Sequence, residues 1–70
     1  PYAVYIESFT DRKALETEMT TLRHNSYSTY IISDEDYNSL FTGVFITKRG
    51  AEELSAELTA LGISNRVVLR

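Results

Sequence analysis

Three sets of residues in this chain could do chemistry: the acids, one histidine, and a group of flat rings. The acids are the run Asp34-Glu35-Asp36 together with Glu16, Glu52, Glu53 and Glu57. A carboxylate-pair hydrolase needs two acids held in one cleft with their pKa values pushed apart. A solvated turn and scattered helix-surface positions give no such setting, so no catalytic residue is expected. The turn also lacks the regular ligand spacing of an EF-hand. His24, beside Arg23 at a helix end, reads as a surface residue able to interact with the last carbonyls of that helix. With a single histidine and no cysteine, the sequence offers no multi-His metal site, no disulfide and no thiol nucleophile. No glycine-rich phosphate loop occurs either. Neither a metal nor a cofactor is expected. What remains is Tyr5, Tyr30 and Phe41, with Arg66 near them: rings able to stack on a base, on the apolar face of a sugar, or against another protein.

The composition narrows those choices. Seventy residues make one small domain, and a formal charge of −3 argues against a partner bound by neutralising phosphates. Sheets that stack RNA bases carry a basic surround, whereas this one is neutral or acidic, so nucleic acid is not expected. No run of ~18 apolar residues is present, so no membrane-spanning segment and no direct membrane contact are expected. The chain opens on Pro1 rather than Met. It reads as a domain cut from a longer protein, with any targeting segment left behind.

The rings must be positioned by the surrounding elements, and the chain repeats these. An offset of 36 residues lays Phe9 on Phe45, Glu16 on Glu52, Leu22 on Leu58 and Ser28 on Ser64. Each half reads strand, helix, strand. In the first, Tyr2 to Glu7 is a strand by composition and alternation. Asp11 caps a helix to Asn25, with Leu15, Met19 and Leu22 on one face, and Asn25 is the expected left-handed terminator. Tyr27 to Ser33 is the second strand. In the second half, Leu40 to Phe45 is a strand. Thr47 caps a helix through Leu61 that buries Ala51, Leu54, Leu58 and Leu61, Gly62 stops it, and Ile63 to Leu69 closes the chain. Repeat 1 spans about 2–33 and repeat 2 about 38–69 of a single domain, 1–70.

The expected fold is therefore α+β, a βαββαβ two-layer sandwich. Its four-stranded antiparallel sheet carries both helices on one face, because right-handed crossovers put them on the same side. Alternation assigns Val4, Ile6, Leu40, Thr42, Val44, Tyr27, Thr29, Ile31, Ile63, Val67 and Leu69 to the helix side. It turns Ala3, Tyr5, Glu7, Ser28, Tyr30, Ile32, Ser39, Phe41, Gly43, Ser64, Arg66 and Val68 to the open side. The rings there have three available roles: cross-strand pairs that only stabilise the sheet, a protein contact or homodimer patch, or a platform for a flat ligand.

The stretch Tyr2-Ala3-Val4-Tyr5-Ile6-Glu7-Ser8-Phe9, with Ala14 and Leu22 after it, resembles the first half of a SPOR (sporulation-related repeat) domain. That half runs aromatic-x-Val-Gln-hydrophobic-Gly-Ser-Phe before an Ala-bearing helix. Leu40-Phe41-Thr42-Gly43-Val44-Phe45, with Ala51, Leu54 and Leu58, is similar to the second half, Val-x-Val-Gly-Pro-Phe. The resemblance covers essentially all 70 residues. It implies a ferredoxin-like (RNP-type) sheet with strand order 4-1-3-2, no catalysis, and an extracytoplasmic place in a bacterial cell envelope. It also implies binding, by the open sheet face, to peptidoglycan glycan strands that have lost their stem peptides at division or sporulation septa. Other envelope or septal proteins are further partners in that setting. Carried over by position, the glycan-binding residues are Tyr5, Ser28, Tyr30, Phe41 and Arg66. The departures are Tyr5 for the usual Gln, Glu7 for Gly and Val44 for Pro. Tyr5 can stack on a sugar and offer one hydroxyl, but it lacks the two-way hydrogen bonding of an amide. Sugar stacking with few charges neutralised predicts affinity that depends weakly on salt. The alternative is a protein–protein assembly module of the same fold that has lost glycan binding. A small-molecule regulatory domain of ferredoxin-like fold would instead bind at a dimer interface or helix-side cleft.

Overall fold

A computed structural model describes all residues, 1–70. The order is β1 (Tyr2–Phe9), α1 (Arg12–His24), β2 (Thr29–Ser33), β3 (Asn38–Phe45), α2 (Lys48–Ala60) and β4 (Arg66–Leu69). The strands form one antiparallel sheet in the order β2-β3-β1-β4, the expected arrangement, with β2 and β4 as its edges. The 36-residue offset carries β1 onto β3 and α1 onto α2 residue for residue.

Both helices start and stop by the same chemistry. Asp11 accepts a hydrogen bond from the Lys13 N–H at 3.1 Å, and Thr47 accepts one from Gly50 at 3.2 Å. At the C-termini, Tyr27 N–H donates to the Leu22 carbonyl and Ser26 to Arg23; 36 residues on, Ile63 donates to Leu58 and Gly62 to Thr59. These are two Schellman motifs. The left-handed residue of the first is Ser26 (φ 68°), not Asn25, which stays at φ −93°. The offset explains this, since Ser26 lies opposite Gly62 (φ 80°).

The helix side is a closed apolar layer of Val4, Ile6, Phe9 and Leu40 from the sheet, Leu15, Leu22, Ala51 and Leu58 from the helices, and Ile63. Full burial of each large side chain contributes about 1.5–3 kcal/mol. Thr42 is the buried polar member, and its hydroxyl donates to the Ser28 carbonyl at 2.6 Å. Tyr27 is half-buried against this layer and donates its phenol proton to Glu57 Oε1 at 3.2 Å. Lost hydration raises the Tyr27 phenol above its ordinary 10.0, and the Glu57 carboxylate adds to the rise by accepting the proton and opposing the phenolate charge.

Several positions depart from simple alternation because the β1–β3 ladder carries two irregularities. Tyr5 pairs with Phe41 and Glu7 with Leu40, leaving Ile6 as the extra residue; Ala3 pairs with Val44 and Val4 with Thr42, leaving Gly43 as the extra one. Each is a bulge, and each shifts the residues beyond it by one. After Ile6, Ser8 rather than Glu7 turns to the open face, and Phe9 enters the core. At Gly43 (φ 74°) the chain takes a left-handed step under the Phe45 ring, so Phe45 packs on the core and Val44, expected there, is 59% exposed.

The edges bring further corrections. Ile31 is exposed because β2 has a neighbour on one side alone. Leu61 and Leu69, expected in the core, are 52% and 74% exposed, at a helix cap and a strand end. Tyr27 and Ser28 precede β2, and Ile63 to Asn65 precede β4. Asn65 explains the late start of β4: its side chain bonds Ser55, Thr59 and the Ile63 carbonyl, holding the connection against α2.

Candidate functional site

The helix-free face of the sheet carries a row of three rings. Register brings Tyr5 of β1, Phe41 of β3 and Tyr30 of β2 level with one another. Tyr30 stacks on Phe41 with centroids 5.5 Å apart and planes 12° from parallel, while Tyr5 meets Phe41 edge-on at 5.5 Å and 65°. Such pairs add about 0.5–1.5 kcal/mol beyond area burial. The rings therefore support one another across three strands. No aromatic residue is contributed by β4; at that level it carries Arg66 opposite Tyr5.

Two guanidinium groups lie over the phenol rings. Arg66 stands 4.9 Å from the Tyr5 centroid, and Arg70 stands 5.2 Å from that of Tyr30. Arg70 also donates to Tyr30 Oη at 3.2 Å. Arg70 follows β4 at one edge, and Tyr30 lies on β2 at the other, so this side chain crosses the sheet face. A hydroxyl chain completes the surface: Tyr5 Oη lies 2.6 Å from Ser8 Oγ, which lies 2.9 Å from Ser39 Oγ. Three hydroxyls share two links, which leaves one O–H free to donate outward. The bulge at Ile6 makes the Tyr5–Ser8 contact possible, since residues three apart in a regular strand face opposite ways. Together Tyr5, Ser8, Tyr37, Ser39, Phe41, Arg66, Val68, Leu69 and Arg70 line a shallow hollow of about 400 Å³.

Of the five residues singled out in the sequence, Tyr5, Tyr30, Phe41 and Arg66 come together here. Ser28 does not join them: it is exposed before the start of β2, and its carbonyl is the group in use. Sequence reading missed Ser8, Ser39's hydroxyl link, Tyr37 and Arg70. Ser8 was hidden by the bulge and Arg70 by its length of reach from beyond the last strand. A glycine inside the strand pattern at Gly43 was an available clue that alternation breaks. The structure also changes how the rings are presented. With neighbours beside them and guanidiniums over the two phenols, they offer edges, hydroxyls and cations instead of bare faces.

The acids are elsewhere. Asp34 to Asp36 form the exposed β2–β3 turn, where Asp34 Oδ1 accepts from the Asp36 N–H at 3.0 Å. Glu16 and Glu53 pair with Arg12 and Arg49 one helical turn away on exposed surfaces. His24 is exposed in the last turn of α1. A second depression, on α1, is lined by Lys13, Glu16, Thr17, Thr20 and Thr21 with no apolar side chain, which is ordinary solvated helix surface. No helix is long and apolar enough to cross a membrane.

This architecture is similar to a solved one. The solution structure of the peptidoglycan binding domain of the B. subtilis cell wall lytic enzyme CwlC superimposes with a TM-score of 0.87 at 19% identity, over 99% of this chain and 87% of that one. At that identity the likeness establishes the ferredoxin-like βαββαβ fold. No protein-family model matches the sequence, and no curated protein matches it.

Proposed function

We propose that this chain is a single SPOR-like domain, with repeats at 2–33 and 38–69, that binds peptidoglycan without catalysing a reaction. Its ligand is the glycan strand, in the peptide-denuded form found at division or sporulation septa. Its place is the extracytoplasmic bacterial cell envelope. The observation that carries this reading is the open sheet face itself: three level rings, a hydroxyl chain and two arginines on one uncovered surface. The SPOR-like motifs of both halves and the shared fold with a domain named for peptidoglycan binding support it.

The roles follow from the geometry. Phe41 and the edges of Tyr5 and Tyr30 give the apolar floor on which a sugar ring rests. The Tyr5–Ser8–Ser39 hydroxyls exchange hydrogen bonds with sugar hydroxyl and N-acetyl groups, in place of the amide that Gln would offer. Arg66 and Arg70 donate from above. Co-sedimentation with purified sacculi, before and after an amidase strips the stem peptides, tests the reading. The domain is expected to pellet with sacculi and more fully after stripping; failure with both samples overturns it. A mass that rises with concentration and falls on Phe41→Asp without unfolding would favour the assembly-module alternative.

A further inference from the structure

The open face is the cationic part of an acidic protein. The chain carries a formal charge of −3, yet the hollow on the sheet is lined by two arginines and no carboxylate. The arginines that form ion pairs are Arg12 and Arg49, both on helices, and their partners are Glu16 and Glu53. Arg66 and Arg70 have no acidic partner. Each is instead held by a phenol: Arg66 over the Tyr5 ring, and Arg70 over the Tyr30 ring with a hydrogen bond to its hydroxyl. These contacts hold the guanidiniums each within about 5 Å of a ring and leave most of their five N–H donors free. Preorganised in this way, they lose little freedom when a ligand arrives.

A neutral sugar makes poor use of two such forks, whereas a carboxylate accepts charge-assisted, bidentate hydrogen bonds from them. We infer that the Arg66 and Arg70 guanidiniums form a carboxylate-reading site, and that the glycan bound on this face is an acidic one whose sugar-borne carboxylate lies between or against them. This rests on the glycan-binding reading and sharpens it. Removing a stem peptide by cleaving its amide to the sugar's lactyl ether leaves a free carboxylate on that sugar. A denuded strand therefore presents a repeating negative charge where a substituted strand presents a neutral amide. The preference for stripped strands then has an electrostatic cause. The weak salt dependence expected from the sequence is replaced by a marked one, because Arg70 adds a second cation that sequence reading did not bring to the face.

The test is calorimetric titration of the chain with three soluble ligands. They are amidase-stripped glycan strands, the same strands with their carboxylates converted to methylamides, and unstripped strands that keep their peptides. Stripped strands are expected to bind at least about tenfold more tightly than methylamidated ones, the effect of one well-formed charge-assisted contact. That advantage is expected to shrink as salt rises from about 50 to 500 mM, because screening shortens from about 14 Å to about 4 Å. Arg66→Gln with Arg70→Gln is expected to bring the stripped strands down to the methylamidated level, with folding checked by circular dichroism. Equal binding of stripped and methylamidated strands overturns the inference and leaves glycan binding standing. Tighter binding of unstripped strands moves the carboxylate onto the peptide and overturns the sugar assignment. Absence of binding to all three overturns the glycan reading and this inference together.

Discussion

The two faces of this sheet are built from the same four strands but to different ends. The helix side is apolar and closed, with Val4, Leu40, Leu22 and Leu58 fully buried. The open side holds its rings half-exposed and dresses them with hydroxyls and guanidiniums. One face therefore stores most of the folding free energy, and the other keeps its polar groups on an exposed surface. Substitutions on the two faces should separate stability from binding.

The largest stability effect should come from the closed side. Leu22→Ala and Leu58→Ala are each expected to cost about 2–5 kcal/mol, through lost transfer energy and a residual cavity. Urea unfolding is the measurement. Domains of this kind have total stabilities of about 5–15 kcal/mol, so either variant should lose a large fraction of it. Next comes the point where the faces are joined. A Cβ at Gly43 would lie 2.5 Å from the Phe45 ring and 3.0 Å from Leu54, in a left-handed conformation, whereas one at Gly62 meets nothing within 4 Å. Gly43→Ala is thus expected to lose about 2–4 kcal/mol from strain and overpacking, and Gly62→Ala about 1 kcal/mol from strain alone. Equal losses at the two sites would show that the bulge is not held by packing.

Phe41→Ala should reverse the pattern. It removes the shared neighbour of both phenols, at a stability cost of about 1–2 kcal/mol, while glycan binding falls by about tenfold or more. A loss of binding no greater than that from a surface helix variant such as Glu52→Ala would break the division of labour. The smallest effect lies at the edge of the closed side. Because the Tyr27 phenol is raised in the folded state, its contribution is fully present below the unfolded value near 10 and is lost as pH climbs through the folded value. Absorbance titration should show Tyr27 ionising after an ordinary tyrosine, and Glu57→Gln should bring it earlier.

Much of the closed side was legible in the sequence, because its signals are local. Caps at Asp11 and Thr47, the stop at Gly62 and the helix-face leucines each lie within a turn or two of the residues they control. The 36-residue repeat then set the topology. The open side was legible only where the ladders stay regular: Tyr5 and Phe41 lie between the two bulges, and Tyr30 and Arg66 lie on ladders without a shift. Alternation puts Glu7 on the open face and Val44 in the core, and both differ in the structure because one extra residue inverts everything beyond it. Arg70 was invisible to alternation, since its partner Tyr30 lies across the whole sheet.

The most direct test of the open face as the docking surface is an amide chemical-shift titration of the chain with amidase-stripped glycan strands. The expected changes cluster at Tyr5, Ser8, Tyr30, Ser39, Phe41, Arg66 and Arg70, with the outward surfaces of α1 and α2 unmoved. Shifts concentrated on the helices, with the ring row unchanged at saturation, would contradict the account.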